Sequence, residues 1–429
     1  VLDNPTAAPV VLGSTAATNW HADFTYAGTG NSLNLGTGAV NLNANRTLTV
    51  SANTLTVGGV IGGGFSLTKA GAGRLELNGA STYNGGTTVN AGTLALGNNL
   101  AASTGAIVLN AGSGLDTSAA GVSVANELTL NTNLSFAGTN SLTMVGPVAL
   151  PAARTVTVSE NNLTLGGAVS GAFALTKAGA GTVTLDAAGT FSYTGLTTVS
   201  AGTLAYAAND QLSGAVTVAG GTLSLGAFTD TIGKLTVSGG AITGTGAFTV
   251  NSADTFDLQS GSVAVDLSGT AAATKTTAGS ITLTGNNGFT GGFTLSLGTV
   301  LIGTNTALGN GALALNGGVL ASNATVAAAG ARSIANNLTV GGNVTLGNGT
   351  NTGVLTFGGT VDLGAATRTL TTDSDVTMSG VISNGALTKA GANVTYLEIP
   401  GGSHTDVVVP NLPKAFEFLA AQKKAAPVA

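Results

Sequence analysis

The chain has 429 residues, 67 of them Gly and none Cys; 7% are charged, for a formal net charge of -5. An ordinary soluble domain carries roughly a quarter charged residues, so the groups on which most enzymes rely are scarce. Absent cysteine excludes thiol catalysis, disulfides and thiolate metal sites, and the acidic balance leaves no footprint for nucleic acid. Apolar residues make up 43%, spread among Thr, Asn, Ser and Gly, and no run approaches the ~18 residues of a membrane helix. No basic start followed by an apolar stretch opens the chain, which gives the expectation of a processed protein or a fragment.

Taken in order, Trp20 and His21 come first and read as part of a capping coil, since the end of a stacked fold must shield its open edge; sugar stacking on Trp20 is the alternative. From Arg46 the chain reads RTLTVSANTLTVGGVIGG, and this returns as RTVTVSENNLTLGGAVSG from Arg154 and RTLTTDSDVTMSGVISNG from Arg368. Thr47-Leu48-Thr49-Val50 and Thr54-Leu55-Thr56-Val57 alternate with period two, the mark of short half-buried strands. The Gly-Gly, Asn-Gly and Ala-Gly pairs between them supply positive φ at little steric cost. Residues 75–99 (LELNGASTYNGGTTVNAGTLALGNN) align without a gap with residues 281–305, and the chain from Val183 matches after a two-residue insertion before Tyr193. A lysine stands six residues upstream of each copy, Lys69, Lys177 and Lys275, and Lys389 opens a fourth; the intervals are 108 (177 − 69), 98 (275 − 177) and 114 (389 − 275). A super-repeat of about 107 residues is longer than one solenoid coil and reads as a bundle of several shorter coils.

No stretch before residue 390 carries apolar residues at helical spacing, so residues 1–393 are expected to be all-β. Each short strand offers only two apolar side chains, too few to close a core alone, and a sandwich has no reason to repeat its sequence. Stacking similar coils in parallel buries those side chains in one column, with Thr and Asn laddering outside. The expected fold is a right-handed parallel β-helix (β-solenoid) ending in a short strand-loop-helix tail. Coils of roughly 20 to 25 residues would give some 16 to 19 coils in a rod about 75 to 90 Å long. A sandwich or propeller is the alternative, and the aromatic marks that propeller blades repeat are missing.

The motif LTKAGAGRLELNGASTYNGGTTVNAGTL, Leu67 to Leu94, resembles the autotransporter-associated β-strand repeat found in passenger domains of bacterial autotransporters. Leu67, Lys69, Gly71, Gly73, Leu75, Leu77, Gly79, Tyr83, Gly85, Thr87, Val89, Gly92 and Leu94 fill the pattern, and Ser81 stands where it usually has Asn. The second copy keeps Leu175, Lys177, Gly179, Gly181, Val183, Leu185, Tyr193, Gly195, Gly202 and Leu204. The resemblance covers nearly all of residues 18–393 and implies an exported β-helix at the cell surface or outside the cell. It implies no particular substrate, and the translocator barrel of an autotransporter has no counterpart in this sequence.

From residue 394 the grammar changes. An almost continuous apolar strand, a Gly401-Gly402-Ser403-His404 loop and Leu412, Ala415, Phe416 and Leu419 at helical spacing resemble the C-terminal end of an α/β-hydrolase. By that resemblance, residues 394–429 are a hydrolase-like tail with His404 at the place of the triad base. Five serines have Gly two positions before them (Ser32, Ser66, Ser81, Ser123 and Ser403), and none completes G-x-S-x-G. Asp373 and Asp375, one residue apart, are a candidate pair for a hard cation, with a solvated turn as the plain alternative; Asp254 and Asp257 read the same way. The recurring lysines read as turn residues or guards against strand pairing. The expectation is therefore a non-enzymatic structural or adhesive rod, extracellular or on the bacterial outer surface, without cofactor or membrane-spanning segment. Its partners would be host or neighbouring-cell surfaces, glycans, or further copies in fibres; a serine hydrolase using His404 is the alternative.

Overall fold

The computed structural model describes residues 1–186, 193–324, 330–391 and 394–396, and every regular element among them is a β-strand. The chain forms two compact units, residues 1–250 with 264–266, and residues 251–263 with 267–429.

In the first unit the chain winds as a parallel β-solenoid with three faces. Thr54–Val57, Arg74–Leu77, Gly92–Leu96 and Ser113–Thr117 pair side by side on the first face. Thr18–Trp20, Val40–Leu42 and Ile61–Gly62 form a second. Phe24–Tyr26, Arg46–Val50, Leu67–Ala70, Thr87–Val89 and Ile107–Leu109 begin the third. Period-two alternation turns one side chain inward and the next outward, so like stacks on like. Leu55, Leu75, Leu94, Leu115, Phe136 and Val158 form one inward column, each fully buried. Burying each such side chain contributes roughly 1.5–3 kcal/mol, and only the coils above and below supply the burial. Coil length follows from the register as the difference between paired positions: 20 for Leu55 and Leu75 (75 − 55), 19 for Leu75 and Leu94 (94 − 75) and 22 for Phe136 and Val158 (158 − 136).

The second unit is built the same way. Ala273, Phe293, Leu313, Leu338, Val361 and Ile382 follow one another down one face. Ile281, Val300, Leu320 and Leu346 do so on another, and Ile334, Phe357 and Met378 on a third.

At the corners, asparagine and aspartate side chains take over from the ladder. The backbone N–H of Thr47 donates to Asp23 Oδ1 at 2.9 Å, that of Ser66 to Asn45 at 3.1 Å, and that of Thr155 to Asn133 at 2.9 Å. Thr369 N–H donates to Asn343 at 2.9 Å in the second unit. Each bond joins a coil to the one before it, which gives Asn and Asp residues beside the strands a structural role. Arg46 and Arg154 serve the same corners from the donor side, each giving its Nε–H to a carbonyl one coil back, Trp20 O and Leu130 O, at 2.7 Å.

The register also explains the uneven super-repeat. Five coils below Leu67 on its own face lies Val169, an interval of 102 (169 − 67). The sequence repeat returns at Leu175, six residues later and one face further round. Five coils below Ala273 in the second unit lies Ile382, an interval of 109 (382 − 273). The matching position there, Leu387, comes five residues later, on the face of Val344 and Leu370. Within each unit the second copy of the cassette therefore faces a different side from the first.

Candidate functional site

The feature that recurs in all copies is the lysine, and in the first three it points inward. Lys69 is fully buried; its Nζ–H groups donate to Ala70 O at 2.9 Å, Gly71 O at 2.7 Å and Ala91 O at 3.0 Å. Lys177 repeats this with Ala178 O at 2.8 Å, Gly179 O at 2.8 Å and Ala201 O at 3.1 Å. Lys275 bonds Thr277 O, and Leu297 O at 3.2 Å. In the first two copies two acceptors lie on the lysine's own turn and the third comes from the next coil, so one ammonium ties two coils together. Burial pushes the Lys69 and Lys177 ammonium groups down to about 8. Three carbonyl acceptors offset part of that penalty by satisfying all three donors of the charged form.

This corner dictates a second cassette position. Ala91, Ala201 and Leu297 are each followed by a glycine with positive φ: Gly92 (70°), Gly202 (61°) and Gly298 (76°). A Cβ on Gly202 would stand 2.3 Å from Gly179 O and 2.8 Å from Lys177 Nζ; one on Gly298 would stand 2.5 Å from Lys275 Nζ. Lysine and glycine, separated in sequence by little more than one coil, thus meet across one coil boundary. Where the sequence pattern suggests rim residues at turns, the structure makes the first three lysines internal braces. The signal for this in the sequence is the companion glycine at a nearly fixed distance downstream.

The cassette position that usually holds Asn also has a physical role. Asn287 Oδ1 accepts the N–H of Leu267, in strand Asp266–Ser268, at 2.8 Å while its Nδ2 donates to Ala307 O at 2.6 Å, joining three successive coils from a position that is itself in no strand. In the first copy Ser81 accepts the N–H of Ile61 at 3.3 Å and is too short to donate onward in the same way.

The remaining candidates are dispersed. Asp373 and Asp375 lie exposed in the turn between two strands, with buried Ser374 between them. Among the described residues no third carboxylate or imidazole joins them as a metal site requires. Asp257 accepts a bond from Gln259 at 3.0 Å. Trp20 is turned inward at 8% exposure, edge-on to Phe24, and lines an opening of about 470 Å³ with Leu12, Val40 and Val57. His21 is exposed beside Asn43. His404 and the rest of the hydrolase-like tail from residue 397 lie outside the described residues. Among the described residues, one charged group is not announced by the sequence pattern: Arg74 pairs with Glu76 and, across the intervening coil, with Asp116 at 3.0 Å. Small Ala95 in that intervening coil, opposite Glu76 on one side and Asp116 on the other, lets the longer side chains meet over it. Asp116 also accepts from Thr139 at 2.8 Å, so the group is an internally satisfied network without an open ligand position.

Three stretches, residues 67–96, 175–205 and 274–302, match the passenger-associated-transport-repeat family. The chain is also 33% identical over 204 residues to the adhesin BmaC autotransporter of Brucella suis biovar 1 (strain 1330). That match covers 46% of this chain and 5% of the relative, so the chain spans a small part of that protein's length. No solved structure matches the chain. The braced lysine–glycine corners are the places where the family pattern and the coordinates coincide: the chain carries three passenger-associated-transport repeats on a parallel β-solenoid and is similar to an autotransporter adhesin over nearly half its length.

Proposed function

We propose that the protein is an exported, cell-surface adhesive solenoid that works through extended repetitive surface and performs no catalysis. The observation that carries this reading is the assignment of its recurring polar residues. The first three repeat lysines, their companion glycines and Asn287, which an enzyme would hold for chemistry, are engaged in joining coils. What remains outward is Thr, Ser and Asn in ladders such as Asn90, Asn110 and Asn131, bonded in series at 2.8 and 3.0 Å. Such a surface offers many weak hydrogen-bonding positions, and adhesion gains strength by repeating them. The likeness to an adhesin supports the same reading.

The test is retention of chain-coated beads on host-cell monolayers, on glycan-coated plates and on one another under flow. Beads coated with the folded chain should be held on at least one of these surfaces more than beads coated with heat-unfolded chain. Equal retention on all three overturns the reading.

A further inference from the structure

In the first unit the outward side chains of one face fall into two uncharged columns. Strand pairing carries Thr143, Thr164, Thr184, Ala205, Ser224 and Thr243 down one column. Asn162, Thr182, Thr203, Thr222 and Ala241 run beside it, two residues away along each strand. Between the columns Leu163, Val183, Leu204, Leu223 and Ile242 point inward and are buried, so the core fixes where each outward group stands. Coils step by about 4.8 Å and alternate residues of a strand stand about 6.6 Å apart. The result is a two-column grid about 24 Å long, and none of its positions is charged.

Other parts of the unit differ. Arg74, Glu76 and Asp116 put charge on earlier coils, and on the neighbouring face Thr176, Thr198, Thr217 and Thr236 stand in one column. A threonine hydroxyl donates one hydrogen bond and accepts two, and its methyl adds a small apolar contact. Asn162 shows that polar groups bridge the grid at this spacing: its Nδ2 donates to Thr164 Oγ1 and its Oδ1 accepts from Thr184 Oγ1, both at 3.0 Å. A partner bearing sulfate or carboxylate would bury its charge against positions that hold no cation, which is costly. A partner made of hydroxyl and C–H groups meets its like. A β-linked pyranose is about as long as one coil step of ~4.8 Å, so successive sugars meet successive rungs. Resting on the adhesive reading and giving it one ligand class, we propose that this double column is the docking face for a neutral, unbranched β-linked polysaccharide lying along the stack. Each rung contributes a weak contact, and their repetition supplies the strength.

Electrophoresis of the full folded chain through native gels cast with linear β-1,4-glucomannan, linear β-1,3-glucan or heparin tests this. At least one neutral polymer should retard the chain, and pull-down on the same polymer should be unchanged when salt rises from about 0.1 M to about 1 M. Replacing four hydroxyls by methyls of the same shape (Thr182→Val, Thr184→Val, Thr203→Val and Thr222→Val together) should weaken binding about tenfold with circular dichroism unchanged. Thr198→Val with Thr217→Val, on the neighbouring face, should bind as the natural chain does. Undiminished binding by the fourfold variant overturns the proposal, and so does stronger, salt-sensitive retardation by heparin. Light scattering in which mass rises with concentration for the natural chain and not for the fourfold variant would give the face to a second copy instead. If neither neutral polymer retards the chain while its beads stay on host-cell monolayers, this proposal falls and the adhesive reading stands; beads held nowhere sink both.

Discussion

Lys69 and Lys389 stand in the same four-letter context, Leu-Thr-Lys-Ala, and differ in burial and in the partners found among the described residues. Lys69 is fully buried with three carbonyl partners, one of them on the following coil. Lys389 is half-buried, and among the described residues it donates to Gly391 O, on its own turn, at 2.8 Å. The motif supplies the charge and its own turn; the bracing comes from the neighbour. A coil in this fold is therefore not a unit of stability, and the worth of a recurring residue depends on its place in the stack.

The largest effect should come from filling the space that the braced lysine needs. Gly202→Val puts a β-branched residue at φ 61° with its Cβ 2.3 Å from Gly179 O. Strain at such a φ costs ~1–3 kcal/mol and overpacking a further ~1–3 kcal/mol, so about 4 kcal/mol is expected, read as a fall in the urea midpoint. A cost below ~1 kcal/mol would mean that the corner is far softer than its contacts indicate.

The comparison itself is tested by one pair of substitutions. Lys69→Met leaves Ala70 O, Gly71 O and Ala91 O without their donor and should cost about 2–3 kcal/mol. Lys389→Met, at a half-buried site with one carbonyl partner among the described residues, should cost about 1 kcal/mol. Equal losses in calorimetry would show that the difference in bracing carries no energy.

A gain is expected where the first cassette departs from its own pattern. Ser81→Asn restores the side chain that in the second unit both accepts from Leu267 and donates to Ala307. The added hydrogen bond is worth ~1 kcal/mol. A lower unfolding temperature for Ser81→Asn than for the natural chain would show that Asn287 depends on surroundings that Ser81 lacks.

The parallel solenoid is readable in the sequence because its cause is local: two inward side chains per strand, turn residues between, and a repeat demanding a neighbour. The roles of Lys69, Gly92 and Asn287 are not readable in the same way. Each depends on a partner about one coil away, and the coil length, a register step that varies from 17 between Thr255 and Ala272 (272 − 255) to 26 between Val344 and Leu370 (370 − 344), is not printed in a repeat of about 107 residues. The same gap hides the rotation of successive cassettes. Their spacings of 108 and 114 mean nothing until the steps from Leu67 to Val169 and from Ala273 to Ile382 are known to be five coils on a fixed face. Arg74 and Asp116 stay hidden because the coil between them has to be recognised as small.

The last expected effect concerns pH, and its sign follows from the same corner. Burial lowers the Lys69 and Lys177 ammonium groups to about 8 from 10.5. Below pH 8 folded and unfolded chains both carry the protons, and burying the charge opposes folding. Between pH 8 and 10.5 the folded chain has released protons that the unfolded chain still binds, so stability rises with pH. Above 10.5 the penalty is gone. Midpoints of urea unfolding should therefore increase from pH 7.5 to pH 9.5, and Lys69→Met should flatten part of that increase. A midpoint that falls over this window in the natural chain, and not in Lys69→Met, would show that the three carbonyl bonds outweigh desolvation. The ammonium would then be a net source of stability and not a tolerated cost.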